Sequence, residues 1–255
     1  MNLLNDKTAL ICGATSGIGL AIAKNYIADG AKVIITGRRE SGEDLAKEIG
    51  AQFIRCDVSQ EADVEACFVE AERRLGKFDV LVINAGVADD EGSIEEFSGE
   101  GMKNIVAVNL EGVFYSLKYG PRHMNDGGSI INTGSVAGSG ITHAGTGVYA
   151  ATKAAGAYLA RTAAIENAPR GIRVNSVCPA MIAGTGMMVD DDGSDDAKFL
   201  GTLTAFGRMG RQDEVVGAYN FLASDASTFI TGQEIRVDGG VSAGFSLPVF
   251  GAIAG

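Results

Sequence analysis

Tryptophan is absent from this 255-residue sequence, and histidine and cysteine are rare, with two and four residues. The cysteines show no CxxC spacing and no cluster of histidines accompanies them, which argues against a zinc site. We therefore expect no metal site in this protein. The cysteines are expected to be reduced, buried thiols of a cytoplasmic protein, and they are Cys12, Cys56, Cys67 and Cys178.

Positive charge is also scarce, since 21 Lys and Arg stand against 32 Asp and Glu, and the formal net charge is −11. Nucleic-acid-binding surfaces need clustered cations, so no nucleic-acid partner is expected. The sequence has no uncharged apolar run of about 18 residues, so we expect no transmembrane helix. The first residues lack the basic and then apolar pattern of a signal peptide, so we expect a cytoplasmic protein without a membrane partner.

Aromatic residues make up only 7% of the sequence while hydrophobic residues make up 46%, so the expected core is aliphatic. Short apolar runs typical of strands alternate with longer helical patterns. This alternation predicts right-handed βαβ crossovers in a mainly parallel sheet that is covered by helices on both faces. Residues 1–255 are predicted to form a single α/β domain. The predicted strands are 8–12, 32–36, 52–56, 79–83, 128–133, 172–178 and 234–237, and the predicted helices are 17–29, 41–49, 60–75, 100–124, 148–168 and 212–223.

Two segments depart from this regular pattern. Residues 183–206 contain the acidic run 190–196 between apolar residues, and two interpretations remain open, a solvated loop and a mobile lid over a site. Residues 244–255 form an apolar tail beyond the last predicted strand. Because such a tail is a liability when exposed on a monomer, we hypothesise that it packs on a neighbouring subunit.

Three glycines follow the first predicted strand in the run Cys12-Gly13-Ala14-Thr15-Ser16-Gly17-Ile18-Gly19. Gly13 permits a sharp turn from strand to helix, and Gly17 and Gly19 allow a pyrophosphate to approach the backbone closely. The first amides of the following helix supply N–H donors and a positive dipole end. A glycine triplet between a first strand and a first helix therefore predicts a dinucleotide-binding turn.

Tyr149 and Lys153 are four residues apart in a predicted helix, which places both side chains on one face. A lysine ammonium near a phenol favours the phenolate form. We therefore expect Lys153 to lower the pKa of Tyr149 toward the range of a general acid or base.

Together with the glycine spacing GxxxGxG, this pair resembles the short-chain dehydrogenase/reductase family, of the single-domain type of about 250 residues. The resemblance covers nearly the whole chain. It implies a Rossmann-type doubly wound fold with a mainly parallel seven-stranded sheet and helices on both faces. The further matches are Asp57-Val58, Asn84-Ala85-Gly86, Asn109, Ser135, Pro179 and Val237-Asp238-Gly239-Gly240.

The end of the second predicted strand, Thr36-Gly37-Arg38-Arg39, indicates the cofactor. Relatives that use NAD carry Asp at the position of Gly37, so Arg38 and Arg39 favour NADP(H) over NAD(H) by binding a 2′-phosphate. The alternative is that both arginines are solvated, or that Arg38 only stacks on adenine. The cofactor-binding residues that the resemblance implies are Gly13, Thr15, Ser16, Gly17, Ile18, Gly19, Arg38, Arg39, Asp57, Val58, Asn84, Ala85, Gly86, Tyr149, Lys153, Pro179, Ile182 and Thr185.

The resemblance also implies a catalytic tetrad of Asn109, Ser135, Tyr149 and Lys153. Tyr149 would exchange a proton with the substrate oxygen, and Ser135 would hydrogen-bond the same oxygen. Lys153 would assist Tyr149 and hold the nicotinamide ribose. Asn109 would hold a water of a proton relay, although a purely structural role for its side chain stays open, as does a turn-forming role for Ser135.

The expected function is therefore an oxidoreductase that transfers a hydride between NADP(H) or NAD(H) and a small secondary alcohol or ketone. One alternative is a non-catalytic NAD(P)-binding regulatory protein on the same fold. The resemblance also implies a homo-oligomer, with a tetramer favoured. Candidate substrate residues are Ser135, His143, Met187 and Phe199, although the position of His143 favours an exposed loop histidine over a substrate contact.

Overall fold

A computed structural model describes residues 3–88, 92–188 and 193–254 of the chain. In this part of the chain, seven parallel strands form one sheet in the order β3-β2-β1-β4-β5-β6-β7. The predicted Rossmann-type fold is thereby confirmed. The strands are β1 (Thr8–Cys12), β2 (Lys32–Gly37), β3 (Gln52–Arg55), β4 (Phe78–Ile83), β5 (Met124–Thr133), β6 (Arg173–Pro179) and β7 (Glu234–Val237).

Helices cover both faces of this sheet. Successive strand residues face opposite sides, so Leu10 and Leu81 contribute to one apolar core and Ile11 and Val82 to the other. Burial on both faces explains why these strands read as continuous apolar runs rather than as alternating ones. The helices are α1 (Gly17–Ala28), α2 (Gly42–Ile49), α3 (Glu61–Leu75), α4 (Gly99–Val106), α5 (Gly112–Tyr119), α6 (Val136–Ser139), α7 (Gly147–Asn167), α8 (Asp195–Thr202), α9 (Gln212–Ala223) and α10 (Leu247–Ala254).

The functional cleft is positioned by the point at which the strand order reverses. From β1 the chain proceeds outward to β2 and β3, and it then returns to β4 on the other side of β1. The two connections that leave the carboxyl ends of β1 and β4 therefore diverge to opposite sides of the sheet. This divergence opens a crevice above the carboxyl edge, where ligands of such sheets bind.

The predicted helix 100–124 is not continuous. Helix α4 gives way to a π-helical turn at Ala107–Glu111, then to α5 and a 3₁₀ turn at Gly120–His123. Pro121 lies at the start of that 3₁₀ turn, and proline cannot continue an α-helical hydrogen-bond ladder. Strand β5 then begins at Met124, four residues before the predicted start.

The segment 183–206 contains a helix that was not predicted from the sequence, α8. Ser194 caps α8 by accepting a hydrogen bond from the Ala197 amide at 3.2 Å, so the acidic residues Asp195 and Asp196 occupy the first turn, where the helix dipole favours them. The preceding residues 189–192, which include residues 190–192 of the acidic run, lie outside the described residues.

The two segments that depart from the regular strand and helix pattern, 183–206 and 244–255, differ in how they are held. The start of 183–206 is anchored, since Ile182 and Gly210 form an isolated β-bridge and the side-chain amide of Gln212 donates to the Gly184 carbonyl at 2.7 Å. The tail 244–255, read from sequence without secondary structure, contains α10, whose large apolar side chains are exposed. No helix among the described residues has both the length and the apolar character that crossing a membrane requires.

Candidate active site

The turn after β1 leaves no room for a side chain at Gly13 or Gly19. Gly13 has a φ of +76°, and a Cβ there would lie 2.5 Å from the Ala85 Cα at the end of β4. A Cβ at Gly19 would lie 2.3 Å from the Gly13 carbonyl oxygen and 2.6 Å from the Asn84 amide nitrogen. Only glycine allows the turn, the β4 loop and α1 to approach this closely.

The N-terminus of α1 is free to receive an anion. Ser16 occupies the N-cap position with extended backbone, but its side chain makes no capping hydrogen bond, and the first turn carries no acidic residue. The first amides of a helix then retain their donors and the positive end of the dipole. This local arrangement suits the pyrophosphate of a dinucleotide.

A cleft of about 650 Å³ runs along the carboxyl edge of the sheet from this turn to Tyr149. Most of the residues predicted from the sequence line it, but Gly19, Asn109 and Phe199 are not among them. Gly19 and Asn109 support the cleft from behind. The predicted residues in its wall are Gly13, Thr15, Ser16, Gly17, Ile18, Arg38, Arg39, Asp57, Val58, Asn84, Ala85, Gly86, Ser135, His143, Tyr149, Lys153, Pro179, Ile182, Thr185 and Met187.

Arg38 and Arg39 lie in the wall at the far end of the cleft from Tyr149. Within the described residues neither guanidinium forms an ion pair, and Arg39 donates a hydrogen bond to the Thr15 hydroxyl at 3.3 Å. A Cβ on Gly37 would lie 2.7 Å from the Thr15 methyl group. Two arginines that form no ion pair with a described residue therefore follow a position where any side chain would collide with Thr15.

Asp57 and Thr185 already have partners within the protein. The Asp57 carboxylate accepts from the Ser59 amide at 3.1 Å and from the Ser59 hydroxyl at 2.7 Å, which fixes the turn after β3. The Thr185 hydroxyl donates to the Ile182 carbonyl at 3.2 Å. Both residues still border the cleft, so each combines a structural hydrogen bond with a place in the cleft wall.

At the other end of the cleft, α7 presents Tyr149 and Lys153 on one face, as their spacing predicted. The Lys153 Nζ lies 5.8 Å from the centre of the Tyr149 ring and donates to the Thr133 carbonyl at 2.9 Å. A Cβ on Gly86 would come within 3.2 Å of that Nζ, so the bare glycine leaves space in front of the ammonium. The lysine is buried and held by the end of β5.

The direction of the pKa shift at Tyr149 is opposite to the prediction. Burial raises the pKa of Tyr149, and the nearby Ser135 side chain offsets only part of that effect. Lys153 has a pKa lowered to about 8, because burial disfavours its charged form. The prediction from spacing was wrong because it left out burial. Desolvation of the phenolate outweighs its attraction to an ammonium that is turned toward the Thr133 carbonyl.

Ser135 lies directly after β5 and caps the short helix α6. Its hydroxyl accepts from the Ala137 amide at 3.2 Å, and its proximity to Tyr149 counters part of the rise in the pKa of that phenol. Behind it, the buried Cys178 thiol is hydrogen-bonded to the Ser139 side chain and the Ser135 backbone, and burial raises the pKa of that thiol. The turn-forming role and the position facing Tyr149 therefore coexist.

Asn109 is fully buried in the π-helical turn and holds the loop after β4. Its Oδ1 accepts from the Val87 amide and its Nδ2 donates to the Val87 carbonyl, both at 2.8 Å. This pairing is the structural role that the sequence left open. The Asn109 Oδ1 also lies 3.4 Å from the Cβ position of Gly86, close to the space in front of Lys153.

The region of the cleft beyond Tyr149 is mainly apolar, with Phe97, Ile141, Met181, Met187 and Met188 in its wall. His143 also lines it, although this histidine is exposed on its loop. Phe199 lies on α8, is 64% exposed and is not part of the wall.

The sequence reading missed the roles of Thr133 and Phe97. Thr133 could have been noticed as the last residue of a strand that leads into Ser135. Phe97 lies in a loop without a local signal, so only the tertiary structure brings it to the cleft.

The four cysteines are free and buried, as expected. Cys12, Cys56 and Cys67 lie close to one another under the carboxyl ends of β1 and β3, and burial is a cause of the raised pKa values of Cys12 and Cys67. In the described ranges, no three His, Cys, Asp or Glu side chains are grouped to hold a metal ion.

The fold and the cleft together define a single-domain α/β protein of the Rossmann type. A family model described as enoyl-(acyl carrier protein) reductase matches residues 13–242. The chain is 37% identical over 250 residues to the NADP-dependent (R)-specific alcohol dehydrogenase of Lentilactobacillus kefiri, which covers 94% of this chain and 98% of that protein. It is 36% identical over 245 residues to cis-4-hydroxycyclohexanecarboxylate dehydrogenase of Sinomonas cyclohexanicum, with 93% and 97% covered.

Among solved structures, a short-chain dehydrogenase/reductase from Serratia marcescens superposes with a TM-score of 0.87 and 33% identity, covering 94% of this chain and 99% of that one. This chain therefore belongs to the short-chain dehydrogenase/reductase family.

Proposed function

We propose that this protein is an NAD(P)-dependent oxidoreductase that interconverts a secondary alcohol and a ketone, with Tyr149 as the general acid and base. The observation that carries the proposal is the arrangement of one cleft. One end of this cleft has the open N-terminus of α1 and two arginines that form no ion pair with a described residue. The other end has Tyr149, Ser135 and Lys153 together. Two relatives of known name are dehydrogenases of alcohols, one of them dependent on NADP.

The residues present fit a dinucleotide. The side-chain-free surface of Gly13, Gly17 and Gly86 leaves room along the cleft, and the uncapped amides of α1 suit the pyrophosphate. Arg38 and Arg39 would hold the adenosine end, and Lys153 would hold the nicotinamide ribose. When bound there, the nicotinamide supplies or accepts the hydride, and the protein supplies binding, orientation and proton transfer.

The protein's own groups have distinct tasks. Because the pKa of Tyr149 is raised, its phenol keeps its proton near neutral pH and serves as a donor to a carbonyl oxygen. Ser135, close to Tyr149, orients the same oxygen. Lys153, whose pKa of about 8 lies above neutral pH, is mostly charged there and supplies positive potential next to the phenol.

Proton delivery from solvent would pass through the space in front of Lys153. The Lys153 Nζ and the Asn109 Oδ1 both lie near Gly86, at 3.2 and 3.4 Å from its Cβ position. A water in that space would contact both polar atoms. The Asn109 side chain is already hydrogen-bonded to both backbone groups of Val87, so its contribution to a relay is to fix the path of this loop.

We further propose a preference for NADP(H), because neither Arg38 nor Arg39 forms an ion pair with a described residue and Gly37 offers no carboxylate to a ribose hydroxyl. Replacing Arg38 by Ala should raise the Michaelis constant for NADPH much more than that for NADH. A wild-type protein that prefers NADH would contradict this assignment.

The substrate that the cleft favours is a neutral ketone or secondary alcohol with apolar substituents. The wall beyond Tyr149 is built by Phe97, Ile141 and three methionines, and apart from Lys153 no Lys or Arg is among its described residues at that end. A carboxylate there would lose hydration without gaining a partner. Comparing a keto ester with its free acid should give a kcat/KM at least about tenfold higher for the ester.

The decisive test is turnover of a panel of ketones and secondary alcohols, followed by the near-ultraviolet absorbance of reduced nicotinamide. Tyr149→Phe should lower kcat by a factor of about 10² to 10⁴ while dinucleotide binding is retained. Tyr158→Phe is the matched control, since Tyr158 is on the same helix and 68% exposed. Wild-type activity in Tyr149→Phe would refute the mechanism, and dinucleotide binding without turnover of any substrate would favour the regulatory alternative.

A further inference from the structure

A chain of buried hydrogen bonds connects α9 to the glycine turn. The Tyr219 hydroxyl lies 2.8 Å from the Thr133 hydroxyl, and Thr133 donates to the Asn84 side-chain oxygen at 3.1 Å. The Asn84 amide nitrogen in turn donates to the Gly13 carbonyl at 2.7 Å. Three side chains from three different elements thus end on one carbonyl of the turn that forms the cleft.

The direction of every proton in this chain follows from its last member. A backbone carbonyl only accepts, so the Asn84 nitrogen must face Gly13 and the Asn84 oxygen must face Thr133. That oxygen also only accepts, so the Thr133 hydroxyl must donate to it. The single proton of Thr133 is then used, and the Tyr219 hydroxyl is the donor to Thr133.

Thr133 also connects the chain to the chemical end of the cleft, since its backbone carbonyl accepts from the Lys153 Nζ at 2.9 Å. Its side chain therefore serves the glycine turn while its carbonyl holds the lysine. Tyr219 is 0% exposed, and burial raises the pKa of its hydroxyl, so it stays protonated and able to donate. The proposed mechanism gives this buried phenol no role of its own.

We propose that Tyr219 is a positioning residue, whose hydroxyl begins a buried hydrogen-bond chain that sets the geometry of the glycine turn and of the strand end holding Lys153. Tyr219 does not touch the cleft itself and acts through Thr133 and Asn84. Its effect on ligand affinity rests on the proposed function, because it requires that the cleft binds a dinucleotide. Its effect on the geometry of the glycine turn does not depend on the proposed function.

Tyr26 offers a matched control for removing this hydroxyl. Its side chain is also 0% exposed, and its hydroxyl donates to the backbone carbonyl of Tyr219 at 3.1 Å. Tyr26→Phe thus deletes a buried phenol hydroxyl in the same core without removing a member of the hydrogen-bond chain from Tyr219 to Gly13. Thr133→Val and Thr133→Ser form a second pair, because serine keeps the hydroxyl that valine lacks.

The test uses amide hydrogen exchange of the cofactor-free protein. The Gly13 and Ala14 amides donate to the Thr36 carbonyl at 3.1 and 3.0 Å, so their exchange reports the order of the turn. Tyr219→Phe and Thr133→Val should speed this exchange about fivefold, the effect of one lost hydrogen bond, while Tyr26→Phe and Thr133→Ser should not. Equal exchange at these two amides in Tyr219→Phe and Tyr26→Phe would overturn the proposal.

Calorimetric titration with NADP⁺ gives the second readout. Tyr219→Phe should weaken binding about fivefold, and the double variant with Thr133→Val should bind no more weakly than Thr133→Val alone, because both act through one chain. Additive losses would refute this shared pathway. A wild-type protein that binds neither NADP⁺ nor NAD⁺ would refute the proposed function, while the exchange experiment would still decide the role of Tyr219.

Discussion

At the scale of single residues, burial rather than pairing controls the reactive groups. Tyr149 and Lys153 share a helix face, yet the lysine is directed to the Thr133 carbonyl, and both pKa values move in the direction that desolvation imposes. A buried ammonium with only a carbonyl partner is costly to the fold. The protein therefore retains a destabilising charge at the place where the proposed chemistry needs positive potential.

This cost should be visible as a pH-dependent stability. Because the pKa of Lys153 is lowered to about 8 in the folded protein, the unfolded chain binds more protons above that pH, and the penalty begins to fall as pH rises past 8. The unfolding free energy of the wild type, measured in urea relative to Lys153→Met, should rise by about 2 kcal/mol between about pH 7 and about pH 9.5. A difference that is independent of pH would show that Lys153 has an ordinary pKa.

Cofactor choice should resist the simplest substitution. Asp at position 37 requires Thr15 to move, since the new Cβ would lie 2.7 Å from its methyl group. Gly37→Asp alone should therefore weaken binding of both NADP and NAD. In the double variant Thr15→Ala with Gly37→Asp, only the position 15 Cβ at 3.5 Å remains near, so the ratio of NAD to NADP affinity should rise by at least about tenfold.

Titration calorimetry with both cofactors would measure this change, and Thr15→Ala alone is the control. A gain of NAD binding in the single variant Gly37→Asp would contradict the steric argument.

At the scale of elements, the π-helical turn between α4 and α5 and the loop after β4 act as one unit. Asn109 pairs with both backbone groups of Val87, as a strand partner would. The loop therefore keeps a fixed path beside Gly86 and Lys153 without secondary structure of its own. The helical pattern over 100–124 gave no sign of this turn, because its reason is a partner on another loop.

Asn109→Ala should thus be strongly destabilising for a single polar substitution. It leaves a backbone N–H and a backbone carbonyl of Val87 without their partner in the interior, so we expect a loss of about 3 kcal/mol in unfolding free energy. Asn104→Ala, on the exposed face of α4, should change stability by less than about 0.5 kcal/mol. Urea unfolding of both variants is the measurement, and equal stabilities would contradict the pairing.

At the scale of the whole molecule, the tail carries several large apolar side chains that are exposed on one short helix. The side chains of Leu247, Phe250 and Ile253 on α10 are 86%, 57% and 66% exposed in the single chain. Exposed apolar surface of this kind is typical of a contact between subunits. We propose that the tail packs on a neighbouring copy in a homo-oligomer, with a tetramer favoured.

Deleting residues 244–255 should then reduce the particle mass measured by light scattering, or weaken substrate binding if the tail completes a neighbour's cleft. Replacing only Leu247, Phe250 and Ile253 by Ser should have the same effect, which separates the loss of apolar contact from the loss of chain. Unchanged mass together with unchanged substrate affinity would refute the proposal.

The sequence by itself determined the parallel sheet, the glycine turn and many of the residues in the wall of the cleft, although it gave no sign of Phe97. The alternation of strands and helices requires crossovers, and the glycines after β1 are visible as a motif. The contact that demands glycine at position 13, with its Cβ position 2.5 Å from the Ala85 Cα, joins two distant parts of the chain. The tertiary structure alone decided the direction of the Tyr149 pKa shift, the pairing of Asn109 with Val87 and the chain from Tyr219 to Gly13. Each depends on burial or on partners from distant parts of the chain, and neither spacing nor composition encodes them.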